Sequence, residues 1–268
     1  MATHAHRAPD APTPGDGYVQ SFARGLEVIR SFNAEAPEQT LSEVAARSGL
    51  TRAGARRILL TLQALGYVES DGKLYRLTPR ILDLGFAYLT SMPIWNLAEP
   101  VMERLSDSVG ESCSAAVLDG ADIVYVLRVH THKIVALNLN VGTRLPAWCT
   151  SLGRVLLAGL DDTAVKARLK ASAIQANTRH TETDPGELLA RVQQVRRQGW
   201  ALVNQELEEG LISIAAPVRS RTGQVVAALN VSGQANRTNA TVMKEQLLPR
   251  LREAADEVSA LLARTGRR

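Results

Sequence analysis

The punctuation between Thr40 and Leu77 constrains this chain more than any other feature. Thr40-Leu41-Ser42-Glu43 has the residues of a capping box, in which hydroxyl and carboxylate satisfy each other's free helix amides. The short helix it starts, with Leu41, Val44 and Ala45 turned inward, stops at Gly49, a residue that takes the left-handed conformation without penalty. Thr51 then caps the next helix. Its apolar residues Ala55, Ile58, Leu59, Leu62 and Leu65 recur at helical spacing, while Arg52, Arg56 and Arg57 lie opposite, with no acidic residue before Gly66. Two helices joined through a glycine turn make a helix-turn-helix. Upstream, Phe22, Leu26, Ile29 and Phe32 space another amphipathic helix over residues 19–32. Downstream, alternating segments 67–70 and 73–77 flank Asp71-Gly72, a strong hairpin signal. Three helices followed by a hairpin predict a winged helix.

Charge points the same way. Residues 18–80 hold nine basic and six acidic side chains, a net +3, against +4 for all 268 residues. Most of the excess therefore sits in the first third, where phosphates would draw affinity from it. Thr51, Arg52, Arg56 and Arg57 would face bases or phosphates, with Lys73 and Arg76 on the wing holding the backbone. Residues 1–17 carry three prolines, His4 and His6 and no apolar run, so they predict a disordered tail rather than a signal peptide. No segment approaches the ~18 to 20 apolar residues of a membrane helix. Two cysteines exclude a disulfide scaffold, and a reduced cytoplasmic location is expected.

Residues 80–93 form a greasy linker helix, with Ile81, Leu82, Leu84, Phe86 and Leu89, expected to contribute to a dimer interface. From residue 94 to 268 a second domain is expected. A helix over 94–109 precedes a hairpin of strands 112–118 and 123–129, then a strand over 134–141. Helices at 151–160, 164–171 and 185–198 follow, then strands 211–218 and 224–232, and a last helix over 239–263. Strands arriving as hairpins between helices predict an α+β domain with an antiparallel sheet.

No Walker loop, nucleotide fingerprint or nucleophile elbow is present, and no cofactor is implied. Cys149 with a histidine would make a nucleophile pair, so a Cys149-dependent hydrolase is one alternative. His130 and His132 are two apart and would share a face if that stretch is strand, but two nitrogens fall short of a metal site. Better suited to a ligand is the helix start at Thr150 or Ser151, where the amides of Ser151, Leu152 and Gly153 predict an anion cradle. Arg128 and Arg144 are candidate partners for a ligand carboxylate. A DNA-binding architectural protein without any ligand is a further alternative.

Taken in order, several motifs resemble the IclR family of bacterial transcriptional regulators. They are Ser21-Phe22-Ala23-Arg24-Gly25-Leu26-Glu27, Gly49-Leu50-Thr51-Arg52, Leu65-Gly66-Tyr67-Val68, Gly142-Thr143-Arg144-Leu145-Pro146, Thr150-Ser151-Leu152-Gly153-Arg154 and Val231-Ser232-Gly233. The fourth and fifth look most like the branch that controls protocatechuate, 4-hydroxybenzoate and β-ketoadipate breakdown. The resemblance implies a winged helix, a linker helix and an effector-binding domain with a curved sheet. It also implies dimers, often paired into tetramers, on palindromic operators. It places the effector carboxylate on the amides of Ser151 and Leu152, with help from Ser213, Asn230 and Ser232 on the last two strands. Ser213 stands where the family often has cysteine and Asn230 where it commonly has serine, so the effector follows from this chain's own pocket. The expected function is a regulator of aromatic-acid catabolism sensing a small carboxylate such as 4-hydroxybenzoate or protocatechuate. A regulator of the same family sensing a non-aromatic acid is the nearest alternative.

Overall fold

A computed structural model describes residues 17–91, 94–130 and 140–264. The expected tail lies almost wholly outside the described residues, and so do His132 and most of the strand expected over 134–141. The chain divides into two compact units, residues 1–91 and 92–268.

The first unit runs α1 (Gln20–Arg30), β1 (Glu38–Thr40), α2 (Leu41–Arg47), α3 (Arg52–Ala64), β2 (Val68–Ser70), β3 (Leu74–Leu77) and α4 (Leu82–Ser91). Its core is Val28, Phe32, Val44, Ala45, Ala55, Leu59, Leu62 and Val68. The capping box forms as expected: Glu43 N–H donates to Thr40 Oγ1, and Thr40 N–H to Glu43 Oε2 at 2.7 Å. After α2, Leu50 N–H reaches back to Ala45 O at 2.9 Å around Gly49, whose φ is +66°. Three details differ from expectation. Phe22 and Leu26 are exposed, because the core is reached only by Val28 near the end of α1 and by Phe32 just beyond it. Residues 38–40 form a third strand, giving the sheet order β1-β3-β2. The wing turn is wider than two residues, since Ser70 pairs with Tyr75, and Asp71 Oδ1 accepts from both Lys73 and Leu74 N–H at 2.8 Å.

The second unit comprises α5 (Ile94–Val109), β4 (Ser112–Asp119), β5 (Asp122–Val129), β6 (Arg144–Pro146), α6 (Ser151–Ala158), α7 (Asp162–Ala171) and α8 (Pro185–Gln198). It continues with β7 (Ala201–Asn204), β8 (Leu211–Arg219), β9 (Val225–Gln234), a short α9 (Ala240–Val242) and α10 (Leu248–Arg264). The six strands form one antiparallel sheet in the order β6-β5-β4-β9-β8-β7. Register shifts opposite Ala115/Ala116 and Val218/Arg219 leave Val126 of β5 and Val226 of β9 as extra residues; these bulges bend β5 and β9, and the sheet curls. Alternation gives each face its own partners. Ala116, Ile123, Tyr125, Ala215 and Ala228 pack under α6 and α8 against Trp148, Leu152, Val155, Leu156, Leu188 and Val192. Ile212, Ile214, Ala216, Leu229 and Val231 are buried on the opposite face, where α10 and α5 pack.

The expected single last helix contains a π-turn at Met243–Leu247. Pro249 has no N–H to give the carbonyl one turn back, and the backbone widens just before it. No helix among the described residues is long and apolar enough to cross a membrane.

Candidate functional site

Two surfaces gather the residues singled out in the sequence. In the first unit, Thr51 accepts from Gly54 N–H at 3.1 Å and so starts α3 with its first turn outward. Thr51, Arg52, Arg56 and Arg57 are all exposed. None of the three arginines forms an ion pair with a described residue, leaving their charge available to an external anion. Lys73 is exposed on the wing turn. Arg76 differs from expectation. Its guanidinium is bound to Glu69 at 2.7 Å and Glu38 at 3.1 Å, and these carboxylates raise its pKa further. It staples β1 and β2 across β3 and has little charge left for phosphate.

In the second unit, register builds the site. Residues paired across antiparallel strands share a face, so Arg128, Ser114 and Asn230 form one row, and Ser112, Ser232, Ser213 and Val203 the next. Both rows continue the face whose middle, Ala116 and Ala228, carries the core under α6. The same surface thus changes from apolar to polar along its strands, and small serines leave room there. The result is a cavity of about 330 Å³. Its walls include Ser112, Tyr125, Arg128, Ser213, Asn230 and Ser232 from the sheet, with Cys149, Thr150, Ser151 and Leu152 from the start of α6. Its rim includes Leu207, Glu208, Glu209 and Gly210 from the loop before β8, and Asn236 and Arg237 after β9.

Thr150 caps α6 and Ser213 Oγ donates to Ser151 Oγ at 2.9 Å, fixing the helix start against β8. The amides of Ser151 and Leu152, at the first two helical positions, have no acceptor within the helix. Gly153 corrects the expected cradle. Its N–H is taken by Thr150 Oγ1 at 3.2 Å and it does not line the cavity. A Cβ there would lie 2.1 Å from Ala147 O, so this glycine serves close packing of α6 onto the preceding loop.

Arg144 is a second correction. It lies on edge strand β6, held by Asp119 at 2.6 Å and Asp122 at 3.5 Å, and contributes nothing to the cavity wall. Arg128 is the arginine in that wall. Burial lowers its pKa from the ordinary value, while Tyr125 opposes the shift. No carboxylate among the described residues pairs with it. Asn230 is buried; its Nδ2 donates to Ser232 Oγ at 3.0 Å, and its Oδ1 has no partner. A buried orphan of this kind is rare and suits a bound donor.

Sequence reasoning passed over Ser112, Tyr125 and the rim loop. Ser112 was findable by counting along β4 from Ala116, whereas an aperiodic loop leaves no such trace. Cys149 is a wall residue rather than a nucleophile. Burial pushes its thiol up to about 12, its sulfur accepts from Asn177 Nδ2 at 3.7 Å, and no histidine bonds it among the described residues. No group of three His, Cys, Asp or Glu among the described residues comes together to hold a metal ion.

Comparison with known proteins decides the family. Residues 21–72 match the IclR helix-turn-helix domain, and residues 86–260 match the family described as bacterial transcriptional regulator IclR C-terminal. The chain belongs to the IclR family. It is 44% identical over 242 residues to the Pca regulon regulatory protein of Pseudomonas putida, covering 90% of this chain and 83% of that one. A crystal structure of a transcriptional regulator from Rhodococcus sp. RHA1 superposes with a TM-score of 0.84 at 48% identity, over 93% of this chain and all of that one. An IclR homologue from Microbacterium hydrocarbonoxydans, crystallised in complex with 4-hydroxybenzoate, superposes with a TM-score of 0.80 at 28% identity, over 90% of this chain and 98% of that one. IclR-family membership makes this protein a DNA-binding transcriptional regulator and not an enzyme, which removes the Cys149 hydrolase.

Proposed function

We propose that this protein regulates genes of aromatic-acid catabolism by binding a small hydroxylated aromatic carboxylate, 4-hydroxybenzoate or protocatechuate, in the cavity between α6 and the polar rows of the sheet. One observation carries the reading. A single cavity holds the unpaired start of α6, an arginine without a carboxylate partner among the described residues and a buried amide oxygen without a donor. The ligand carboxylate would sit on the Ser151 and Leu152 amides, where the helix dipole favours negative charge, with Arg128 supplying the counter-charge. A ring hydroxyl would donate to Asn230 Oδ1, and Ser213 and Ser232 would complete the polar side. The relatives support the chemistry: one is a regulator of the Pca regulon and one was crystallised with 4-hydroxybenzoate.

The DNA side of the proposal assigns Thr51, Arg52, Arg56 and Arg57 to the major groove and Lys73 to the flanking backbone of a palindromic cytoplasmic operator. A homodimer, or a pair of such dimers, would bind it, with the linker segment of residues 80–93 contributing to the contact between copies. The effector would shift the balance between domain arrangements by no more than its differential affinity for them.

Calorimetric titration of the full-length protein with 4-hydroxybenzoate, protocatechuate, β-ketoadipate, glyoxylate and pyruvate tests the effector assignment. Saturable one-to-one binding of a hydroxylated benzoate, weakened by Arg128→Ala, is expected. Binding of β-ketoadipate, glyoxylate or pyruvate without either benzoate would transfer the protein to the non-aromatic reading, and heats at dilution level for all five would refute the sensor.

A further inference from the structure

The rim of the cavity is held from behind by a buried charge. Glu206 belongs to the loop 205–210, whose next residues Leu207, Glu208, Glu209 and Gly210 line the cavity, yet its own carboxylate does not. That carboxylate receives Arg154 Nη1 at 2.8 Å and Nη2 at 2.6 Å, Arg191 Nη1 at 3.0 Å and the Glu182 N–H at 3.3 Å. Arg154 and Glu206 are 3% and 5% exposed, so this pair is screened from solvent. Arg154 lies one turn into α6, and its Nε donates to Trp148 O at 3.0 Å, the residue just before the cavity wall of Cys149 to Leu152. One guanidinium therefore grips both the helix-start wall and the loop rim. The loop is fixed further by Thr178 Oγ1 on Gln205 O and Thr181 Oγ1 on Glu206 O, each at 2.6 Å. Gln205 itself sits at φ +62°, a left-handed conformation unfavourable for a side-chain-bearing residue unless its surroundings enforce it.

We propose that the Arg154–Glu206 pair is a positioning latch for the effector cavity. It sets the spacing between the start of α6 and the loop 205–210, and through that spacing the affinity for the effector, while touching no ligand. The proposal rests on the effector reading given above. Hydrophobic residues of similar volume would hold such a site about as firmly, because a buried pair gives much of its attraction back in desolvation. What the bidentate pair adds is direction: fork and carboxylate fit in one relative orientation, and that orientation is shared by the wall and the rim.

Hydrogen exchange and ligand titration on the full-length protein test the latch, comparing the natural chain with Glu206→Gln and Leu251→Ala. The first keeps the shape and removes the charge. The second loosens the same domain elsewhere, since Leu251 is buried in α10 and no residue of α10 lines the cavity. Glu206→Gln should speed exchange in residues 148–153 and 205–210 before any ligand is added. It should also raise the Kd for 4-hydroxybenzoate about tenfold or more, chiefly through faster dissociation. Leu251→Ala should keep both within about twofold of the natural protein. Unchanged exchange in those two segments, an unchanged Kd in folded Glu206→Gln, or an equal loss of affinity in Leu251→Ala would each overturn the latch. Faster exchange in Glu206→Gln with no binding of 4-hydroxybenzoate or protocatechuate by any of the three supports the latch and overturns the effector assignment. Should Glu206→Gln not fold, Arg154→Lys keeps the buried charge and removes the two-pronged grip on Glu206, and the same changes in exchange and Kd are expected of it, with the same results overturning the latch.

Discussion

At the scale of single residues, the second unit is sensitive where atoms have no room. Gly153 is the sharpest case. An added Cβ would meet the Ala147 backbone at 2.1 to 2.5 Å, and backbone cannot step aside as a side-chain tip can. Gly153→Ala should cost about 3 kcal/mol or more, measured as a lower urea midpoint, because overpacking here must move α6 off its loop. A midpoint like that of the natural protein would show that α6 sits further from Ala147. Burial also gives the protein an alkaline limit. The Cys113 and Cys149 thiols and the Tyr125 phenol are held at about 12, above ordinary values of 9.0, 9.0 and 10.0. They ionise in the unfolded chain before they ionise in the folded one. Their contribution is therefore complete below the ordinary values and is lost as pH rises from 9 toward 12. Urea midpoints should hold steady from neutrality and then fall, with a slope approaching about 1.4 kcal/mol per pH unit for each ionising group. Midpoints that do not move above the ordinary values would contradict the burial of these three groups.

At the scale of elements, helices with caps were readable, and so was the short edge strand β2 beside its Asp71-Gly72 turn, whereas short edge strands without such a turn were not. Thr40, Thr51, Thr150 and Asp184 each cap a helix as their sequences suggest, because capping needs only local residues. Strands β1, β6 and β7 have three or four residues each, too few for alternation to show, and each is defined by the neighbour it pairs with. The candidate site was readable where it coincides with a helix start, and unreadable at Arg144. Nothing in the order of residues reveals that Asp119 and Asp122 close on that arginine across the β4–β5 turn. Helix α4 has no buried residue at all, and Leu82, Leu84, Phe86 and Tyr88 are exposed along it. If a second copy covers this helix, Phe86→Glu should raise the dimer dissociation constant about tenfold or more in sedimentation experiments. An unaltered sedimentation profile would move the dimer contact elsewhere.

At the scale of the whole molecule, the two units make separable predictions. For the first, Arg56→Ala should weaken operator binding and make the log-log salt dependence shallower by about one unit, as expected for one lost phosphate contact. Identical affinity and slope would remove Arg56 from the interface. For the second, 4-hydroxybenzoate at about 100 times its Kd should stabilise the native state by about 2.7 kcal/mol, read as a higher thermal midpoint. A midpoint indifferent to that ligand would count against the assigned effector. What the sequence alone could not convey is that the part of the core under α6 and the cavity share one face of one sheet. Ala116 and Ala228 belong to the core, and Ser112, Asn230 and Ser232 to the cavity, a few residues along the same strands. The hydrogen bonds that align those strands run through the backbone and are blind to which side chain stands on the face. Exchanging serine for alanine or threonine along the polar rows would thus redraw the mould without disturbing the frame, so descendants of such a chain are free to acquire a taste for new compounds while inheriting their architecture intact.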